Sequence, residues 1–177
     1  MRRSVASMTW AALLGGLTFV LGLFRIPVGP VPVTLQTFGV LMAGLVLRPW
    51  EAFFAMLLHL ALKLIVGGAA VLSPAFGFVI AFVVVAPLMA LVMPRVRGRA
   101  WLEGAVIVLA SLALYVIGLP YMAWILRVYM GKVLSFRELL MTGMVIFLPG
   151  DALKALLAWA VGRRVVRVTQ PRATMPS

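Results

Sequence analysis

The stretch RIPVGPVPVTLQTFG, residues 25–39, interrupts a chain that is otherwise strongly apolar. Three prolines, Pro27, Pro30 and Pro32, remove backbone donors and fix φ, so no regular helix runs through its first half. Because proline leaves the chain little backbone entropy to lose, this composition indicates a preformed, extended connection rather than a flexible linker. Thr34 and Gln36 follow where the chain enters the next apolar run.

The runs on either side of this connection predict membrane-spanning helices. Hydrophobic residues make up 64% of the 177 positions, and the mean hydropathy is +1.15, whereas soluble domains are closer to half apolar. A spanning helix needs about 20 mainly apolar residues. We therefore predict an all-α integral membrane protein, a single domain over 1–177 with a polar tail over 163–177. Its six transmembrane helices are placed at roughly 7–24, 34–47, 51–67, 75–93, 101–122 and 140–162.

Basic residues are unevenly distributed between the two ends of these helices. The net charge is +12, with only four acidic residues. The poorer side has only Arg25, Arg127, Lys132 and Arg137. Because cytoplasmic loops are enriched in Lys and Arg, both termini are expected in the cytoplasm. The connections 25–39, 67–74 and 127–138 then face outward, and the positive charge needs no nucleic-acid partner to explain it.

Motifs typical of enzymes and metal sites are missing from the sequence. It contains no cysteine and a single histidine, His59. We find no Walker motif, no zinc-ligand spacing and no nucleophile with a histidine partner. The sequence therefore predicts a protein that is not an enzyme and has no cofactor or metal.

The run FLPGDALKALLAWA, residues 147–160, holds the best candidate for a polar site. Asp151 and Lys154 lie three residues apart and so share one face of a helix. Charges at membrane depth are costly and usually face a cavity or a partner. Pro149 and Gly150 suggest a broken helix with exposed backbone groups beside them. The alternative is an ion pair that only fixes helix packing.

Two further groups admit both a functional and a structural interpretation. His59 and Lys63 share a face of the third helix. For them a structural role is favoured, with His59 bonded to a neighbouring helix and Lys63 snorkelling to the interface. In SPAFGFVIAF, residues 73–82, Phe76 and Phe78 flank Gly77; such aromatics can frame a flat ligand ring, but they are also ordinary core residues.

Small residues on the first helix favour close helix packing. Ala11 with Gly15, and Ala12 with Gly16, have the small-xxx-small spacing that lets helices approach each other in lipid. The spacing leaves open whether the partner helix belongs to this chain or to another subunit.

Two of these motifs resemble one family closely. IPVGPVPVTLQTFGVLMAGLVL and FLPGDALKALLA are similar to the first outer loop and the last helix of BioY proteins, the biotin-specific substrate-binding (S) components of energy-coupling factor (ECF) transporters. The resemblance spans residues 10–162. It implies a six-helix S-component fold in the cell membrane of a prokaryote. The first, third and fifth connections would hold the ligand, and the partners would be a transmembrane T subunit and two cytosolic ATPases, which alone use ATP.

The resemblance also implies roles for particular residues. Asp151 and Lys154 would contact the polar ring of biotin, and Ala11, Ala12, Gly15 and Gly16 would form the surface for the T subunit. We expect polar contact in or beside the pocket from Gln36 and Thr34. The loop valines (Val28, Val31, Val33) and Phe76 or Phe78 would cover the hydrocarbon part of the ligand. Arg25 or Lys132 would meet the carboxylate.

The segment 73–78 departs from the family pattern. Ser73, Ala75, Phe76 and Phe78 stand where the family commonly has Gly, Thr, Gly and Tyr. With two hydroxyls absent from this wall, and Ser73 as a further candidate contact, a biotin precursor or another vitamin remains an alternative ligand. A structural membrane protein with no ligand is the other alternative.

Overall fold

The computed structural model describes residues 5–68 and 70–169, and its helices follow the apolar runs. The longer ones are α1 Val5–Leu21, α2 Gln36–Val46, α3 Pro49–Gly67, α4 Phe76–Val96, α5 Ala100–Val128 and α7 Leu148–Thr169. A short helix, α6 Phe136–Leu140, and a π-helical turn, Met141–Val145, lead into α7. Over the described residues the architecture is all-helical apart from one small strand pair.

Helix length and hydropathy mark this as a multi-pass membrane protein. Within the described residues, four helical segments are long and apolar enough to cross a bilayer, namely α3, α4, α5 and the continuous stretch Phe136–Thr169. The apolar helices α1 and α2 are shorter, at 17 and 11 residues. At about 1.5 Å per residue, α2 covers only about half of the hydrocarbon thickness.

Two predicted helix ends are wrong. Helix α5 continues to Val128 rather than 122, and α7 continues to Thr169, so the first part of the predicted polar tail is helical. In α5 the added residues are mostly apolar, and in α7 arginines alternate with valines, so neither stretch contains a helix breaker. The rest of the tail, residue 69 and the N-terminal arginines Arg2 and Arg3 lie outside the described residues.

The proline-rich connection forms a small hairpin. Strand β1, Arg25–Ile26, pairs antiparallel with β2, Val33–Thr34, and Arg25 lies opposite Thr34. The prediction of an extended, ordered segment is confirmed. Val31, between the strands, is buried, and its side chain packs the hairpin against the bundle.

Helix α2 forms the centre of the bundle. It packs against α1, α4 and α7, and nearly all of its side chains are buried. A helix that is apolar all round is typical of such a position. Its N-terminal end carries Gln36, so the bundle centre and the hairpin meet at this residue.

The small residues of α1 divide between an inner and an outer face. Ala11 and Gly15 are buried, and a methyl group on Gly15 would collide with the backbone carbonyl of Ala55 in α3. Ala12 is exposed, and a methyl group on Gly16 would meet open space. The interface prediction is therefore wrong for Ala11 and Gly15, because their close packing is used within the chain.

A buried carboxylate joins α5 to α7 at the end of the bundle opposite the hairpin. Glu103, only 2% exposed, accepts hydrogen bonds from the Gly98 N–H at 2.8 Å and from Trp159 Nε1 at 2.7 Å. Arg163 Nε lies 3.5 Å from the same carboxylate, and its guanidinium stacks on the Trp159 ring. The charge of Glu103 is thus satisfied by partners within the chain.

Candidate functional site

A cavity of about 310 Å³ lies beneath the hairpin, between α2, α4, α5 and α7. Its wall includes nine of the residues that the sequence predicts to contact the ligand. These residues come from distant parts of the chain: Arg25, Val31, Thr34, Gln36, Ser73, Phe76, Phe78, Asp151 and Lys154. The fold thus brings the two specific motifs, residues 25–39 and 147–160, to one site.

Two charged residues of the cavity wall form a compact pair on α7. Lys154 Nζ lies 2.5 Å from Asp151 Oδ1, and both side chains are largely buried. The other carboxylate oxygen, Oδ2, accepts a hydrogen bond from the Tyr115 hydroxyl on α5. The predicted shared face of Asp151 and Lys154 is therefore confirmed, and each carboxylate oxygen has one donor.

A chain of hydrogen bonds links this cluster to the hairpin and to α3. Lys154 Nζ donates to the Thr34 carbonyl at 2.9 Å, and Thr34 Oγ1 donates to Gln36 Oε1 at 3.2 Å. The Gln36 amide nitrogen lies 3.0 Å from His59 Nε2. Since an amide NH₂ can only donate, His59 Nε2 accepts, and the orientation of Gln36 is fixed from both ends.

Aromatic and aliphatic side chains form the remaining wall. Phe76 and Phe78 both face the cavity, together with Val31, Phe82 and Phe147. The ring of Phe78 stands edge-on to that of Tyr115, with centroids 6.0 Å apart. The predicted aromatic wall is therefore present, although Val28 and Val33 lie outside the cavity lining.

The chemistry of this lining suits binding rather than bond breaking. Asp151 can accept, Lys154 can donate, and a flat apolar surface adjoins them. Among the described residues no group of three or more His, Cys, Asp or Glu could hold a metal ion. The arrangement fits a small molecule with a planar polar end that has both N–H and C=O groups, and with a hydrocarbon part.

Known proteins share the sequence pattern and the fold of this chain. The model of the BioY family matches residues 1–171. The chain belongs to the BioY family. It is 30% identical to the probable biotin transporter BioY of Bacillus subtilis (strain 168), over 94% of this chain and 91% of the relative. It is 31% identical to biotin transporter BioY2 of Lactococcus lactis subsp. cremoris (strain MG1363), over 91% and 90%.

A solved structure also resembles this BioY-family chain. It is a crystal structure of the S-component for biotin from an ECF-type ABC transporter, with a TM-score of 0.71 and 25% identity. The likeness covers 92% of each chain. The BioY fold therefore extends over nearly the whole length.

Several sequence-based expectations about this BioY-family site need correction. The backbone at Asp151 is not free, because its N–H donates to the Phe147 carbonyl at 2.8 Å. The helix break lies earlier, at the π-helical turn over 141–145. The third outer connection, 127–138, contributes no residue to the cavity wall, so Lys132 does not face the ligand space.

Tyr115 is the principal residue that sequence reasoning missed. It lies in a long apolar helix where neither charge nor spacing marks it. A phenol at membrane depth needs a hydrogen-bond partner, and that requirement is the signal that could have singled it out. His59 bonds to a neighbouring helix as predicted, whereas Lys63 lines the cavity instead of only reaching the interface.

Proposed function

We propose that this chain is the biotin-binding S component of an ECF-type vitamin importer. The observation that carries the proposal is the Tyr115–Asp151–Lys154 cluster, which adjoins an apolar cavity wall in a BioY-family chain. The relatives named as biotin transporters and the biotin S-component structure support the same ligand.

The hydrogen-bond donors and acceptors of the biotin ureido group are complementary to those of the cluster. A carboxylate has room for about four hydrogen bonds, so Asp151 can accept a ureido N–H while it keeps Tyr115 and Lys154. Lys154 has three protons, of which the carboxylate and the Thr34 carbonyl use two. The third can bind the ureido oxygen. No ionised group has to lose its partner when the ring enters.

The hydrocarbon part of biotin would lie against the apolar wall. Val31 on the hairpin and the rings of Phe76 and Phe78 offer a surface for the thiophane ring and the valeryl chain. Burial of apolar area contributes about 25 cal/mol per Å². The polar cluster then supplies orientation, while Gln36 and Ser73 border the same space.

Titration calorimetry of the purified protein tests the proposed ligand. We expect one biotin per chain with a Kd below about 1 µM, which corresponds to about −8 kcal/mol. Thiamine and riboflavin serve as controls and should release no heat. Heat with another vitamin but not with biotin would favour a different ligand for the same fold, and no heat with any would favour a structural role.

The same proposal includes the orientation of the chain and the membrane in which it lies. We propose a single domain over 1–177 whose six predicted spans cross the cell membrane of a prokaryote, with α1 and α2 completing the four longer segments. Both termini would face the cytoplasm, since the side rich in arginine includes residues 95–99 and the end of α7. The hairpin and the cavity would then face outward and receive external biotin.

We further propose that the partners are a T subunit and two ATPases that supply the energy. Ala12 and Gly16, on the open face of α1, remain available for close helix contact. Gly16→Leu is expected to reduce co-purification of a co-expressed T subunit at least about fivefold, because a large side chain blocks close approach, and to leave the biotin Kd unchanged. Undiminished co-purification would exclude this face as the docking surface.

A further inference from the structure

Lys63 has no role in the proposed contacts, yet it faces the cavity. It lies in the outer half of α3 and is half-buried. Arg25, on the first strand of the hairpin, lines the same cavity. Neither residue belongs to the cluster around Asp151.

The charge of the cavity lining is unbalanced. Its charged groups are three cations, Arg25, Lys63 and Lys154, and one acid, Asp151. The carboxylate is already paired with Lys154. Within the described part of the chain, neither Arg25 nor Lys63 has an acidic side chain within ion-pair distance. Arg25 makes one neutral contact, to the Gly22 carbonyl at 3.0 Å.

Lys63 is half-buried and unpaired, and the exposed Arg25 adds a second positive charge to the same largely apolar cavity, so the site is costly unless an anion joins them. Repulsion between like charges grows as the surroundings become less polar, and desolvation adds to the cost. On a lipid-facing surface, a lysine could reduce this cost by snorkelling, which places its ammonium group in the aqueous interface. Lys63 lines the cavity instead. The arrangement therefore favours an anionic group between the two side chains.

We propose that Lys63 and Arg25 form an anion subsite at the cavity mouth, that it binds the ligand carboxylate, and that Lys63 selects free acids over neutral derivatives. The inference rests on the proposed function, since biotin supplies a carboxylate at the far end of a flexible chain from its ring. With the ring at Asp151 and Lys154, the acid end extends toward the hairpin and the end of α3.

A pair of ligands that differ only in charge tests the subsite. Titration calorimetry compares biotin with biotinamide, whose ring and chain are the same. A hydrogen bond to a charged group contributes enough for about a tenfold to hundredfold preference, so the wild-type chain should prefer biotin by at least about tenfold. Lys63→Gln should reduce that preference to about threefold or less, through weaker biotin binding, with the biotinamide Kd unchanged.

Two further variants show whether the loss of preference depends on the charge at position 63. Lys132→Gln removes the same charge from an outer connection that does not line the cavity, and it should keep the full preference for biotin. Lys63→Arg should keep most of the preference, because it retains the charge. Undiminished preference in Lys63→Gln would overturn the subsite, as would a wild-type chain that binds both ligands equally. A wild-type chain that binds neither ligand would overturn the proposed function as well.

Discussion

Asp151→Asn is expected to lower the affinity for biotin by at least about 100-fold. The substitution removes the charge that balances Lys154 and replaces one acceptor oxygen with a donor. Either Lys154 or the Tyr115 hydroxyl then faces an NH₂ group, and the ureido N–H loses its charged acceptor. Removing one partner of a buried ion pair costs about 3–5 kcal/mol. Titration calorimetry of the purified variant measures the loss.

A matched control separates ligand binding from folding. Glu51→Gln makes the same change of charge at the start of α3, where Glu51 Oε2 accepts the Arg48 N–H, and glutamine can keep this capping contact. It should bind biotin as the wild-type chain does. If Asp151→Asn retained wild-type affinity, the site assignment would be wrong; if only its yield and melting temperature fell, the ion pair would be a packing element.

Cysteine labelling is expected to show which loops face the outside of the cell, because an outer position should label fully and an inner position not at all. The chain has no cysteine, so a single introduced thiol reports one position without background. Arg99 precedes α5 and Lys132 follows it, and both are exposed. In intact cells a membrane-impermeant maleimide should label Lys132→Cys fully and Arg99→Cys only after permeabilisation. Each variant removes one of 16 basic residues, which leaves the charge asymmetry in place.

The permeabilised sample is the control, because both variants must label there for the comparison to count. Labelling of Arg99→Cys but not of Lys132→Cys in intact cells would reverse the proposed orientation. It would place the hairpin and the cavity mouth on the cytoplasmic side and contradict capture of external biotin.

Local patterns were sufficient to predict most helices and the Asp151–Lys154 pair. The spacing of two charged residues on a helix determines whether they share a face, so that contact follows from sequence. The prolines likewise fix an extended segment wherever they occur. The pairing of Arg25 with Thr34 is also local, since a short turn joins the two strands.

Contacts between distant segments could not be read from such patterns. Tyr115 meets Asp151 because α5 and α7 are adjacent, and nothing in either helix alone indicates this. The small residues of α1 show the same limit: spacing predicts close packing, but only the position of α3 decides that Gly15 faces inward and Gly16 outward. For Lys63, the sequence of α3 alone favours the membrane interface, because it does not show that a cavity lies beside this helix.

A crystal structure of the protein with biotin tests the central claim most directly. We predict that the ureido group lies within hydrogen-bond distance of the Asp151 carboxylate and Lys154 Nζ, with the valeryl chain against Phe76 and Phe78 and the carboxylate toward Lys63. Biotin bound outside this cavity, or with its carboxylate at Lys154 and its ring at the hairpin, would contradict the account.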